Sequence, residues 1–426
     1  MSNVVQGTTG EAQQQTLHIL VVPYQSEGHI NGMLRLVQAL AAEKGVLVTF
    51  GYPARFHSST LKRNKHCSLL NTSFSGQSNS MLRVEVVEDG LPLEEEQPLT
   101  DEQKRASVPI FQNADLADDA GLPRVDFWSS TAAVYSTGTQ LALLVSKGIL
   151  PLPKSCWLVE EKWSVEAALI EGIPGLPPFP PTDLPRVFVQ AEEVSDSKLQ
   201  FGLAGFRRAR EAHAILVHSV YELESQVFDA LQATGFPSHA VGPLPNSALE
   251  PSTTNHECIQ WLGTQPPSSV IYVALGSIAI FTSAEMHALA LALESSGHPF
   301  LWVIRPDSIS ATLSEVLPEG FLQRTVAKHM GLIISWSPQA ENWKIGVELE
   351  RQHDGSFTKE AVERALKDVF ALEGKEGPTY KETALHFKKV ARSAMQNGGT
   401  SHSNLVNFLQ HLRHSPHCDN RFSSSN

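Results

Sequence analysis

The amino-acid sequence predicts an α/β protein built from two successive Rossmann-like parallel sheets that face each other across a cleft. Three observations lead there. The chain opens with an apolar run, Leu17 to Pro23, then a turn ending at Gly28, an amphipathic segment and a second apolar run, Val46 to Phe50. Strand, turn, helix and strand in that order begin a doubly wound sheet. The same order restarts at Ser269. Between the two halves, Ala240 to Pro245 and the polar run Asn246 to Asn255 read as a boundary. The expected domains are therefore 1–245 and 246–400, with 401–426 as a C-terminal helix and tail.

Each element has its own signal. Leu17-His18-Ile19-Leu20-Val21-Val22 is a buried-strand run, and Met33, Leu34, Val37, Leu40 and Ala41 recur at helical spacing within 31–43. Val46 to Phe50 and Met81 to Val87 are the next strands, and a short helix is expected near 114–120. Leu122 to Trp128 reads as a strand and Ser129 to Ser146 as one helix. Ile173 to Pro181 holds too many prolines for a helix and is expected to run extended across the surface. Phe201 to Ala212 reads as a helix and Ala214 to His218 as a strand. In the second half, Ser269 to Leu275, Phe300 to Ile304 and Leu332 to Ser335 are strands. Thr282 or Ser283 caps a helix that runs to about Glu294. Further helices are expected over 318–328, 359–370, 379–396 and 403–412.

Two places break the pattern. Between Val87 and Leu122 there is no apolar strand, although a complete sheet of this type has one there. Only Ser337 to Lys344 separate Trp336 from the next strand candidate, Ile345 to Leu349. A parallel crossover needs about a dozen residues. Both sheets are therefore expected to be incomplete.

Composition narrows the class. Lys and Arg total 33 against 45 Asp and Glu, a net charge of −12, and the basic residues are scattered. That argues against nucleic acid and anionic membrane surfaces as partners. The four cysteines are widely spaced with no CxxC pair, which fits a reducing compartment. The N-terminus lacks the basic-then-apolar order of a secretory signal, and no apolar run is long enough to span a bilayer. A cytoplasmic protein without stable membrane insertion is expected.

Ligands of open α/β sheets collect beyond the carboxyl ends of the strands. His29 lies just past the first strand, where an imidazole can take a proton near neutral pH or merely cap a helix. Gly276-Ser277 ends the first strand of the second half and offers a hydroxyl and amides to a phosphate, or simply a turn. Trp336 can stack on a base or fill an interdomain core, and Gln339 can bond to a sugar. There is no GxGxxG fingerprint and no spaced Cys/His set, so a nicotinamide enzyme and a metal enzyme are both disfavoured.

Taken in order, several motifs resemble the plant family 1 UDP-glycosyltransferases. They include His18 to Pro23 with Gly28-His29-Ile30-Asn31, Gly121-Leu122-Pro123-Arg124, Ile173-Pro174-Gly175-Leu176 and Val217 to Glu224. Val241-Gly242-Pro243-Leu244, Val270 to Ser277, Leu317 to Phe321 and Trp336-Ser337-Pro338-Gln339 continue the series. The resemblance implies the GT-B fold and inverting transfer of a hexosyl group from a UDP-sugar to a hydroxyl of a small plant metabolite. It implies His29 as general base, the stretch at Phe127-Trp128-Ser129 toward the acceptor, Ser277 on the diphosphate, Trp336 on uracil and Gln339 on the ribose. No metal or other cofactor is implied; the UDP-sugar is a co-substrate. The family's signature continues past Gln339 into diphosphate and sugar contacts, whereas here Asn342 to Val347 follow almost at once. Near 108–113 the family also carries an Asp that orients the catalytic His, and this chain has no matching residue. The two departures leave open a second reading, a catalytically inactive variant acting as an interaction partner.

Overall fold

The computed structural model describes residues 16–23, 27–53, 81–87, 117, 119, 121–152, 169–184, 191–244, 257–267, 269–274, 281–304, 312–334, 356–370 and 380–414. Among them, nine strands form three separate parallel sheets of three strands each. The chain divides into two compact units, Met1–Arg124 with Leu244–Glu250 and Leu405–Asn426, and Val125–Pro243 with Pro251–Asn404.

In the first unit, β1 (Leu17–Val21), β2 (Val46–Pro53) and β3 (Leu82–Val87) lie in that spatial order. Register pairs Ile19 with Val48 and Val48 with Leu82. Between β1 and β2 runs α1 (Glu27–Ala41), which starts four residues earlier than its apolar spacing suggests. The extra turn, Glu27 to Ile30, adds a single apolar residue, Ile30, too little for periodicity to reveal it. Ile30, Val37 and Leu40 of α1 and Val46, Val48 and Phe50 of β2 are buried, and the helix packs on β2.

In the second unit, β4 (Val125–Trp128), β5 (Ala214–Val217) and β6 (Ser238–Ala240) make one sheet. The single helix expected after β4 is two, α2 (Ala132–Thr139) and α3 (Leu141–Ser146), divided at Gln140, which is not helical in φ and ψ. The next helices are α4 (Ser197–Ala209) and α5 (Tyr221–Ala233). The proline-bearing segment is extended but does not merely cross the surface. Ile170 and Ile173 are buried with Leu144, Leu150 and Leu199. At Gly175 (φ +76°) a Cβ would lie 2.4 Å from Cα of Val227, so only glycine lets this backbone meet α5.

The third sheet has β7 (Ile271–Ala274), β8 (Phe300–Val303) and β9 (Gly331–Ile334) in that order. Around it lie α6 (Glu257–Gly263), α7 (Ser283–Ser296), α8 (Leu313–Val316), α9 (Phe321–Arg324) and α10 (Lys359–Val369). As expected, Thr282 caps α7, in a full capping box with Glu285. Only the short α9 and a 3-10 turn occupy the helix expected over 318–328. Last come α11 (Tyr380–Met395) and α12 (Thr400–Arg413). The α12 start is tied to the strand ends: Ser401 Oγ donates to the Gly242 carbonyl (2.5 Å) and Asn404 Nδ2 to that of Ala240 (2.9 Å).

Candidate active site

Every strand pair is parallel, so within each sheet the carboxyl ends share one edge. That edge is where a ligand site forms. Past β1, His29 sits in the first turn of α1, next to the anchored Ile30. The ring keeps solvent access, yet the protein atoms crowding it hold its pKa below the ordinary imidazole value. A helix N-terminus also disfavours an added positive charge. The imidazole is thus kept neutral, the form a general base requires.

The edge at β4 is built differently. Phe127 and Trp128 point to opposite faces of the strand. Phe127 meets the His218 ring at 6.1 Å, while Trp128 packs against Tyr135 and Phe206 at 5.6 and 5.5 Å. Trp128 is therefore partly committed to the core. Burial, with Asp126 adding and Arg210 opposing, pushes the Tyr135 phenol well above its usual pKa, so it is not an acid or base near neutrality.

The start of α2 is fully occupied by protein groups. The amides of Ala132 and Ala133 donate to the two carboxylate oxygens of Glu224, at 2.9 and 2.8 Å. The Val134 amide donates to Thr131 Oγ1 at 3.4 Å. Ser219 Oγ donates to the same Glu224 carboxylate. A free helix N-terminus at a strand edge is a ready phosphate site; this one already holds an anion. At α7, the Glu285 carboxylate accepts from Thr282 N and Oγ1 at 3.0 and 2.9 Å and repels an added anion there.

Of the four residues singled out from the sequence, His29 is placed as described. Ser277, Trp336 and Gln339 lie outside the described residues, as do both interrupted stretches, 88–116 and 335–355. The strands that lead to them are present: β7 ends at Ala274 and β9 at Ile334. Glu224 and Ser219 were missed as site residues. Their motif is visible in the sequence, but nothing local reveals that Glu224 reaches a helix start 92 residues away.

No protein-family model matches the chain. It is 26% identical to UDP-glycosyltransferase 85A1 of Arabidopsis thaliana, over 90% of this chain and 93% of that protein. It is also 26% identical to 7-deoxyloganetin glucosyltransferase of Gardenia jasminoides, over 93% of this chain and 97% of that one. In structure it is similar to a UDP-glucosyltransferase from Polygonum tinctorium that glucosylates indoxyl, at TM-score 0.71 and 19% identity, over 95% of this chain and 100% of that chain. The chain is a homologue of the plant UDP-glycosyltransferases. A transferase from Siraitia grosvenorii, solved with UDP, superimposes at TM-score 0.65 and 22% identity, covering 93% of this chain and 100% of that chain. The two-unit α/β arrangement with parallel sheets is the GT-B fold of these structures. For this homologue, no helix among the described residues is long and apolar enough to cross a membrane.

Proposed function

We propose that this chain is a UDP-sugar-dependent glycosyltransferase of small plant metabolites, with His29 as its base and a reduced hold on the donor. His29 takes the proton from the acceptor hydroxyl as the oxygen attacks the anomeric carbon. The bond from that carbon to the diphosphate breaks with its electron pair leaving on UDP, and the anomeric configuration inverts. The observation that carries this reading is the place of the His29 imidazole, in the first turn of α1 just past the carboxyl end of β1, inside a fold held by UDP-glycosyltransferases. Ser277, Trp336 and Gln339 would contact diphosphate, uracil and ribose, and no metal is required. We assign the reaction to the cytoplasm.

The reduced hold rests on two supports. The match to the Arabidopsis relative spans 476 positions and that to the Gardenia relative 489, against 426 residues in this chain. Those relatives therefore carry internal residues without a counterpart here, in line with the interruptions after Val87 and Gln339. The second support is that the starts of α2 and α7 both hold the chain's own carboxylates, so neither suits a diphosphate. Calorimetric titration with UDP, with Trp336→Ala as control, tests the donor side. Saturable binding weakened by the substitution is expected; no binding by folded protein would sink it. Product formation from UDP-glucose across a broad acceptor panel then tests the transfer itself.

A second reading has its own observation. In doubly wound sheets of order 3-2-1-4-5-6 the first strand is interior, but among the described residues β1 and β7 each end a three-stranded sheet. An open strand edge is a template for pairing with another chain. A non-catalytic partner of intact relatives would use those edges, and co-purification with such a relative distinguishes it from the enzyme.

A further inference from the structure

We propose that Glu224 is a positioning residue that fixes the loop between β4 and α2, the acceptor-side edge of the site. That last clause rests on the glycosyltransferase reading above; the positioning itself does not. Three elements converge on this one residue. It receives the first two amides of α2, the Ser219 hydroxyl just beyond β5 and, through its own backbone, the start of α5. The neighbouring strand ends are joined by the His218 amide, which donates to the Trp128 carbonyl at 2.8 Å.

The geometry is more than a helix cap. Thr131 already caps α2 locally through the Val134 amide. Glu224 adds a two-oxygen clamp from a distant segment, and the backbone leaves helical angles at that residue (φ −136°, ψ 30°). Ala132 and Ser219 are buried, at 0% and 5% exposure, and Glu224 is half-buried, so the hydrogen bonds to this carboxylate are partly shielded from water. Charge-assisted bonds of this kind are about twice as strong as neutral ones. Held by the clamp are Ser129 to Thr131 and, through Trp128 Nε1 donating to the Thr131 carbonyl at 3.0 Å, the Trp128 indole. A loop fixed at both ends presents one backbone shape to whatever binds there, and pre-organisation lowers the cost of binding.

Hydrogen–deuterium exchange on the full chain tests the assignment. In Glu224→Ala, the amides of 132–134 are expected to exchange at least about tenfold faster than in the wild type, the factor for one charged hydrogen bond. Glu224→Gln, which keeps the shape and loses the charge, should fall between. Added acetate should restore protection in Glu224→Ala, where a carboxylate can refill the site, and chloride at equal ionic strength should not. Unchanged exchange at 132–134 in Glu224→Ala would overturn the clamp, and so would equal rescue by chloride. For the acceptor side, Glu224→Gln should raise KM for p-nitrophenol with UDP-glucose as donor, while the Kd for UDP stays the same. An unchanged KM alongside lost protection would overturn the link to the acceptor. A wild-type chain that transfers nothing would overturn the functional reading and leave the exchange result to decide the clamp.

Discussion

The sheets β1-β2-β3 and β7-β8-β9 share one strand order and the same parallel pairing, yet they are covered differently. The second is closed on both faces. Phe300, Trp302 and Ile304 pack with α7, α8, α9 and α10 on one side, while Leu301, Leu332 and Ile334 pack with Cys258 and Trp261 of α6 on the other. Among the described residues, the first is closed on the α1 face only. Its other face carries His18, Leu20, Thr49, Arg83 and Glu85, with Leu20 63% exposed and His18 Nε2 bonded to Thr49 Oγ1 at 2.8 Å. Parallel sheets normally bury both faces. The difference teaches that topology and completeness are separate properties: three strands in the right order do not make a finished layer.

The largest expected effect sets the two sheets directly against each other. Trp302 is wholly buried, and among the described residues its indole N–H has no hydrogen-bond partner, so Trp302→Ala loses packing rather than a bond. It should cost ~3–5 kcal/mol. Leu20→Ala, at an equally regular strand position, should cost less than about 0.5 kcal/mol. Urea unfolding followed by circular dichroism checks both. Similar costs for the two substitutions would break the comparison, because Leu20 would then be covered in solution.

A smaller effect sharpens it at the helix ends. Thr282 accepts from the Glu285 amide at 3.2 Å while the Glu285 carboxylate bonds back to Thr282. Thr282→Ala should lower the stability of the β7-β8-β9 core by ~1 kcal/mol. The midpoint of urea unfolding reads this. An unchanged midpoint would mean that the α7 start contributes nothing to closing that sheet.

How much of this was legible follows from what each residue depends on. Eight strands announce themselves as short apolar runs, since β-branched and large aliphatic residues between turns have few other uses. The ninth, Ser238-His239-Ala240, has no such pattern; it is a strand because β5 beside it offers a ladder. The break at Gln140 and the early start of α1 escape for a related reason: both are set by cap and turn geometry that periodicity does not record. In the candidate site, the place of His29 is readable because it depends on sequence position, one residue beyond a glycine and just past a strand. That of Glu224 is not, since its role depends on a fold that brings residues 132 and 224 together.

The smallest expected effect concerns His29, the one candidate catalytic side chain among the described residues. Crowding lowers its folded pKa, whereas in the unfolded chain it returns to about 6.5. Below that unfolded value the unfolded state binds more protons than the folded one, so stability falls as pH drops from 6.5 toward the folded pKa. Above 6.5 both states are neutral and His29 contributes no pH dependence. The His29 ring proton followed by NMR should therefore titrate with a midpoint below 6.5, and His29→Gln should flatten the acid side of the stability profile slightly. The same shift keeps the base form available into mildly acidic solution, so any transfer activity should hold its plateau below the pH at which a free imidazole would lose it. A midpoint at or above 6.5 would overturn this, because crowding of the ring favours only the neutral form and an upward shift needs a neighbouring carboxylate.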